Sequence, residues 1–461
     1  MIRKYPAGSM RELLVVAIPL MVSFGSQSLM SFVDRMFLTW HSEAALAATM
    51  PASMLNWSVV SFAMGVANYA GTFVAQYEGA ERKDRVAAVV WQSIWLSALF
   101  GALLIVFSFS APLIFHLANH PHKVQEAECV YFATLCQGAP AALLMTALSG
   151  FFSGRGETGV VMWVNLAAVG VNAILDFCLI FGTPATPPLG IWGAALSTVL
   201  ANIFATLLFA LLIIRRCRRS HYPLWQQLNL DTELSWRMIK FGIPMGMQIF
   251  VDIFGFTMFL FFVGKLGTTE LAATNLAFNL NSLAFIPMLG LGTAVMTLVG
   301  RRVGEDRPLL ARQTVRRAMI LGTTYMGLWC IAYLAIPGWL IFPFRAYADP
   351  AEFARIEQIA TLLMRFVAIY GMFDVMGIVY GYAIRGAGDA LFPFLYFAAA
   401  SLFGLVLPAA VVWQYLDRSL LSMWTIVTGY IMLVGFGMAF RYYSGAWQKM
   451  SVFEADLQSN E

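Results

Sequence analysis

Residues Leu13–Trp40 read LLVVAIPLMVSFGSQSLMSFVDRMFLTW. About 20 apolar residues suffice to carry a helix across a hydrocarbon core, and this run is longer, yet it holds Asp34 with Arg35 directly behind it. Whether that carboxylate is tolerable depends on what surrounds the run. Of the 461 residues, 60% are hydrophobic and 12% charged, whereas soluble domains carry roughly 25% charged residues. So little charge cannot cover a surface facing water. The composition is that of an integral membrane protein.

About twelve apolar runs recur, centred near residues 26, 62, 101, 140, 171, 202, 250, 285, 326, 369, 401 and 433. Alternation with a period of two is absent, which excludes a β-barrel. The expected fold is therefore all-α, with twelve transmembrane helices. The first run is about twice as long as the apolar segment of a signal peptide and is charged inside, so it reads as a span. The longest polar connection runs from Arg215 to Trp236. It divides the chain into a six-helix lobe (1–214), a linker (215–235), a second six-helix lobe (236–446) and a tail (447–461).

Basic residues give the orientation. With loops numbered alternately from an inward N-terminus, about 22 of the 29 lysines and arginines fall on one side, among them Arg385. The positive-inside rule then places both termini, the linker and the tail in the cytoplasm. The net charge of +4 calls for no nucleic acid, because anionic membrane lipids are the natural partners of those residues. Five scattered cysteines form neither a disulfide framework nor a metal-ligand spacing.

The chain is written twice. Pro19 and Pro244, the LAAT tetrapeptides at Leu46 and Leu271, Gly65 and Gly290, and Gly79 and Gly304 are each 225 residues apart. Gly154 and Gly386 are 232 apart, so the second copy has gained about seven residues in between. Six helices per copy is an even number, and both halves enter the membrane in the same direction. They form two lobes related by a parallel pseudo-two-fold axis along the membrane normal. Two such bundles leave a cleft between them, which suits alternating access.

A carboxylate in mid-membrane costs roughly 2.5–3.5 kcal/mol. Four are expected at that depth: Asp34 and Asp176 in the first lobe, Asp252 and Asp374 in the second. Asn172 stands four residues before Asp176, and Tyr370 four before Asp374. That spacing puts each pair on one helical face. Thr198 and Asn202 share a face in the same way. Carboxylates with an amide or phenol one turn away supply oxygen ligands for a small hard cation or partners for a proton. If each pair of acids meets, the two sites can exchange H⁺ or bind Na⁺, with no metal beyond Na⁺ and no cofactor. Arg35, about 100° around the helix from Asp34, is expected to snorkel outward.

Other chemistries lack their residues. Gly154-Arg155-Gly156 is not followed by the Lys-Ser/Thr of a phosphate loop, so ATP has no visible site. HLANHPH (His116–His122) reads as an external loop. No nucleophile is paired with a base, and the chain is not read as an enzyme.

Several stretches together resemble the multidrug and toxic compound extrusion (MATE) transporters of the NorM-like branch. They are AIPL…VDRMFLTW…LAA in the first two helices, GRGET…VNAILDFCLIFG…LGIWGAALST across the fourth to sixth, and IYGMFDV…IRGAGD in the tenth. The resemblance implies a monomeric antiporter of the bacterial inner membrane that exports cationic or amphiphilic small molecules against Na⁺ or H⁺. It assigns Asp34, Asn172, Asp176 and Thr198 to a cation-coupling network in the first lobe, and Asp252, Tyr370 and Asp374 to one in the second. It also makes Pro19 a hinge of the first helix. Asp252 stands where the branch has a glutamate, and Trp40-His41 where a glycine-containing turn is usual. The alternative expectation is a lipid-linked precursor flippase, whose central cavity would be more cationic than these acids imply.

Overall fold

A computed structural model describes residues 5–41, 43–118, 120–183, 187–347, 350–415 and 418–453. The side chains of Arg35, Trp40 and His41, and residues 454–461 of the tail, lie outside the described set. Twelve helices in it are long and apolar enough to span a membrane. In the first lobe they are α1 (Met10–His41), α2 (Glu43–Gly79), α3 (Lys83–Ser108), α4 (His122–Gly154), α5 (Thr158–Phe181) and α6 (Gly190–Ser220). In the second they are α7 (Thr232–Gly264), α8 (Thr268–Gly304), α9 (Pro308–Ala335), α10 (Pro350–Ala387), α11 (Leu391–Tyr415) and α12 (Leu420–Tyr443). Short helical turns fill several of the connections.

Local chemistry fixes where these helices begin and end. Asp231 caps α7 by accepting the Leu234 N–H at 2.9 Å, and Ser419 caps α12 by accepting that of Ser422 at 3.2 Å. Such caps satisfy amide groups that have no partner inside the helix. The arginines of 215–219 stay helical, with Arg218 and Arg219 in the last turn of α6, where cations complement the helix dipole, and His221 then turns left-handed at φ 57°. The interhelical linker is therefore 221–231, shorter than the polar stretch of the sequence. It is pinned to α3, where Gln92 Oε1 accepts from the Asp231 N–H (3.1 Å) and Ser235 Oγ (3.0 Å), while Arg85 pairs with Asp231 at 2.9 Å.

The duplication reappears in three dimensions. Glu157 pairs with Arg216 in the first lobe, and Asp389 with Arg441, at 2.8 Å, in the second. Arg441 lies 225 residues after Arg216, and buried Trp447 lies 225 after buried Tyr222. Much of the extra length of the second copy is in α10, with 38 residues against 33 in α4.

Pro19 sits inside an unbroken α1. A proline has no N–H to return to the carbonyl four residues back, which here is that of Val15. The Thr158 hydroxyl of α5 donates to that carbonyl at 3.4 Å. A side chain of the same lobe thus covers the gap that the proline opens.

The lobes meet along α2 with α8, and along two crossings that the pseudo-symmetry relates, α1 with α8 and α2 with α7. Both are backbone-close. A Cβ on Gly65 would lie 2.2 Å from the Gly246 nitrogen, and one on Gly290 would lie 2.5 Å from that of Met21. Small residues at helix crossings allow this approach. Toward the end where the basic residues gather, hydrogen bonds also join the lobes. The Tyr69 hydroxyl donates to the Arg385 carbonyl at 2.7 Å, and Gln76 Nε2 to that of Gly386 at 2.9 Å. Glu12 of α1 pairs with Arg302 of α8, both buried, and Arg302 also holds Glu305. Residues 446–453 cross the same seam. The Val452 N–H donates to Gln76 Oε1 at 2.9 Å, and the Phe453 ring lies 5.6 Å from that of Tyr77.

Burial would raise the carboxyl of Glu305, but its bonds to Arg302 and Arg301 hold it below the ordinary glutamate value of 4.5. A lowered carboxyl stabilises the fold fully above that pH and loses its contribution as pH falls through its lower folded value. The stronger test is of the buried pair. Arg302→Met leaves the buried Glu12 without its guanidinium partner, which costs about 3–5 kcal/mol. Thermal unfolding in detergent should therefore drop sharply for this variant and recover in Glu12→Leu/Arg302→Met. A double variant as unstable as the single one would show that the pair does not clamp the lobes.

Candidate functional site

One cavity, of ≈ 400 Å³, is built mainly from the first lobe; of its described lining residues, only Ile249 and Thr293 belong to the second. Its wall mixes apolar and polar side chains and is nearly free of charge. Amides (Asn56, Asn68, Asn165, Asn202) and hydroxyls alternate with methionines and the Trp57 ring, and Asp34 is the one carboxylate among the lining residues. Apolar walls with a few placed polar groups are typical of small-molecule sites. Asn165 donates to Ser23 Oγ at 2.5 Å, which ties α5 to α1 one turn beyond Pro19.

Behind Asp34 lies Asp176, fully buried on α5 and within hydrogen-bond reach of the Asp34 carboxyl. With its amide nitrogen turned toward them, Asn172 donates to Asp34 Oδ1 (3.0 Å) and Asp176 Oδ2 (3.2 Å). The expected four-residue spacing therefore brings one amide onto both acids. Two carboxylates this close disfavour both being charged at once. A proton or a small cation between them relieves the repulsion.

Thr198 lines the cavity, as does Asn202 one turn on, but Thr198 is not bonded to the carboxylates. Its hydroxyl turns back to the Ala194 carbonyl of its own helix at 3.1 Å. The hydroxyl that donates to Asp176 belongs to the preceding residue, Ser197, fully buried. Helical neighbours point about 100° apart, so the two hydroxyls of α6 serve different faces, one toward the acid pair and one toward the cavity. Ser197 escapes sequence reasoning because the i, i+4 rule works within one helix, and this contact links two.

The second lobe gathers its own acids. Asp252 of α7 and Asp374 of α10 lie close enough for their charges to interact, and neither lines the large cavity. The Tyr430 hydroxyl of α12 donates to Asp252 Oδ1 at 3.3 Å. Tyr370 is buried beside Asp374, and its hydroxyl has no hydrogen-bond partner among the described residues. Tyr430 was not visible in the sequence, where nothing distinguishes it from other membrane tyrosines. Among the described residues no group of three or more His, Cys, Asp and Glu is placed to hold a metal ion.

Besides Asp389 of the Arg441 pair, two further acids are buried near helix ends, Glu12 and Glu128. Glu12 is matched with Arg302, and Glu128 accepts from or donates to His120 Nδ1 at 2.9 Å. Both are satisfied locally by a neighbouring base.

The MatE family model matches residues 19–178 and 244–410, one segment in each lobe. A probable multidrug resistance protein NorM of Pseudomonas putida is 32% identical over 396 residues, covering 85% of this chain and 84% of that protein. One of Burkholderia pseudomallei is 30% identical over 382 residues, covering 82% and 81%. Among solved structures, an outward-facing multidrug resistance MATE family transporter of the MOP superfamily superposes with a TM-score of 0.86 at 18% identity, covering 96% of this chain and 98% of that one. A eukaryotic MATE transporter gives 0.82 at 16% identity, covering 95% and 96%.

The division of labour on α6 can be measured. Ser197→Ala removes a donor from a buried carboxylate, a loss of about 1–3 kcal/mol. Thr198→Val removes a hydroxyl bonded only to its own helix and should cost well under about 1 kcal/mol. Equal losses in thermal unfolding would contradict the assignment of Ser197 to Asp176.

Proposed function

Because the chain belongs to the MATE family of multidrug and toxic compound extrusion transporters, we propose that it is a secondary antiporter. It exports organic cations or amphiphilic drugs in exchange for Na⁺ or H⁺, by alternating access between its two lobes. One observation carries this reading: Asp34 belongs both to the wall of the cavity and to the carboxylate pair. A drug in the cavity and a coupling cation between the acids therefore draw on the same charge. Each lowers the affinity for the other, and such negative coupling between two ligands is reciprocal.

The cycle follows from that competition. In the state of the cycle with the lobes joined at their basic, cytoplasmic end, the cavity serves the outside. A cation reaching Asp34 and Asp176 neutralises the wall, and a cationic drug loses its counter-charge and leaves. Return of the protein with its cation to the inward-open state requires the seam at Tyr69, Gln76 and Glu12 to part. Inward release of the cation restores the charged wall for the next drug. No ATP and no covalent step are needed, and a monomer embedded in inner-membrane lipid contains both lobes. Asp252, Tyr370 and Asp374 form a second cation site, away from the cavity.

Asp34→Asn should abolish both the resistance conferred on a drug-sensitive host and ethidium efflux from vesicles under imposed Na⁺ or H⁺ gradients. Undiminished efflux at equal expression would remove Asp34 from the mechanism and the shared-charge reading with it.

A further inference from the structure

Arg385 occupies the last turn of α10. From the sequence it counts among the basic residues that face the anionic leaflet, but the structure places it elsewhere. Helical side chains lean toward the N-terminus of their own helix, and this one leans into the second lobe, leaving the residue 5% exposed. Its Nη2 donates to Gln248 Oε1 of α7, and its guanidinium lies 5.1 Å from the centre of the Tyr382 ring. Its Nε has no hydrogen-bond partner among the described residues, and none of the ion pairs found there includes it. Its surroundings comprise Gln248 and Asp252 from α7, Tyr382 from α10 and Tyr69 from α2. Asp374 and Tyr430 stand behind Asp252.

A buried cation whose side-chain acceptor is a neutral amide, with one N–H orphaned, is an expensive arrangement. The relief is nearby. Gln248 precedes Asp252 by four residues, one helical turn on the same face, and the charges of Arg385 and Asp252 are already near enough to interact. The main chain of the same arginine is also a lobe contact, since its carbonyl accepts from Tyr69 of the first lobe. One residue therefore touches both the acid site and the seam.

We propose that Arg385 is a tethered counter-cation for Asp252 and Asp374. With both acids ionised, the three side chains sum to a single negative charge, so the site takes one monovalent cation. When that cation leaves, the guanidinium moves one turn along α7, from Gln248 to Asp252, and fills its place. Arg385 is thus a positioning residue that sets how many cations the second lobe takes and how tightly. Its carbonyl bond to Tyr69 links that exchange to the seam between the lobes. The inference rests on the reading of Asp252 and Asp374 as a coupling-ion site.

The test is ethidium efflux from proteoliposomes, titrated with Na⁺ at fixed pH and with pH at fixed Na⁺. Arg385→Gln should tighten the apparent cation affinity about tenfold, within the usual range of such couplings, and move the Hill slope from near one toward two. Arg385→Lys, which keeps the charge, should restore the single-cation slope. Gln248→Leu removes the neutral resting place and should weaken cation affinity by a similar factor, the opposite sign. A residue needed only for folding would not produce shifts of opposite sign, and Gln248→Leu alone decides the matter if Arg385→Gln does not fold. Unchanged slope and affinity in these variants, with Asp252→Asn and Asp374→Asn still altering coupling, would overturn the proposal and spare the site. No response from either aspartate variant would overturn the site itself, and the proposal with it.

Discussion

Hydrocarbon offers no water to a charge. Every ionisable group in this protein must therefore either reach an interface or be supplied with partners by the fold. Several arginines and acids near the helix ends take the second course with each other: Glu12 with Arg302, Glu157 with Arg216, Asp389 with Arg441. Those pairs join helices and are electrically closed. The four intramembrane aspartates are different. They are gathered acid upon acid, with amides and hydroxyls for company, and a site of that kind is completed only by something that arrives from outside. The distinction between closed and unclosed charge sets these four aspartates apart from the paired acids at the helix ends.

Much of this was legible in the sequence. Low charge content and run length gave twelve helices, and the 225-residue offset gave two equivalent lobes. The aspartates stood out because an apolar run makes any acid conspicuous. What stayed hidden is contact between helices. Ser197, Tyr430 and Gln248 are ordinary residues in ordinary helices, and only packing turns them toward an acid. Thr198, placed in the acid network by family resemblance, turns out to belong to the cavity wall. Arg385 misleads for a related reason. Its position at a helix end suggests the interface, but the lean of the side chain carries it inward. Counting residues to the end of a helix locates a backbone, whereas the tip of an arginine can be several ångströms deeper.

The two lobes share a plan without sharing a task. The first encloses the large cavity and exposes one of its acids there. The second keeps its acids clear of that cavity and surrounds them with tyrosines and a buried arginine. A duplicated scaffold thus holds two acid pairs in different surroundings. Pro19 and Pro244 mark the same place in each copy. In the first, the unsatisfied carbonyl is met by Thr158, so local weakness in α1 is adjacent to the cavity it borders.

The glycine crossings constrain the motion geometrically. At Gly65 and Gly246 the backbones of α2 and α7 leave no room for even a methyl group, so neither helix can slide across the other without colliding. Rotation about the point of contact meets no such obstacle at this crossing. A lever pivoting there by ten degrees would carry atoms about 20 Å along the helix, some thirteen residues away, through only about 3.5 Å. That is roughly the reach of one hydrogen bond, enough to part Gln76 from Gly386 at one mouth while barely disturbing the fulcrum.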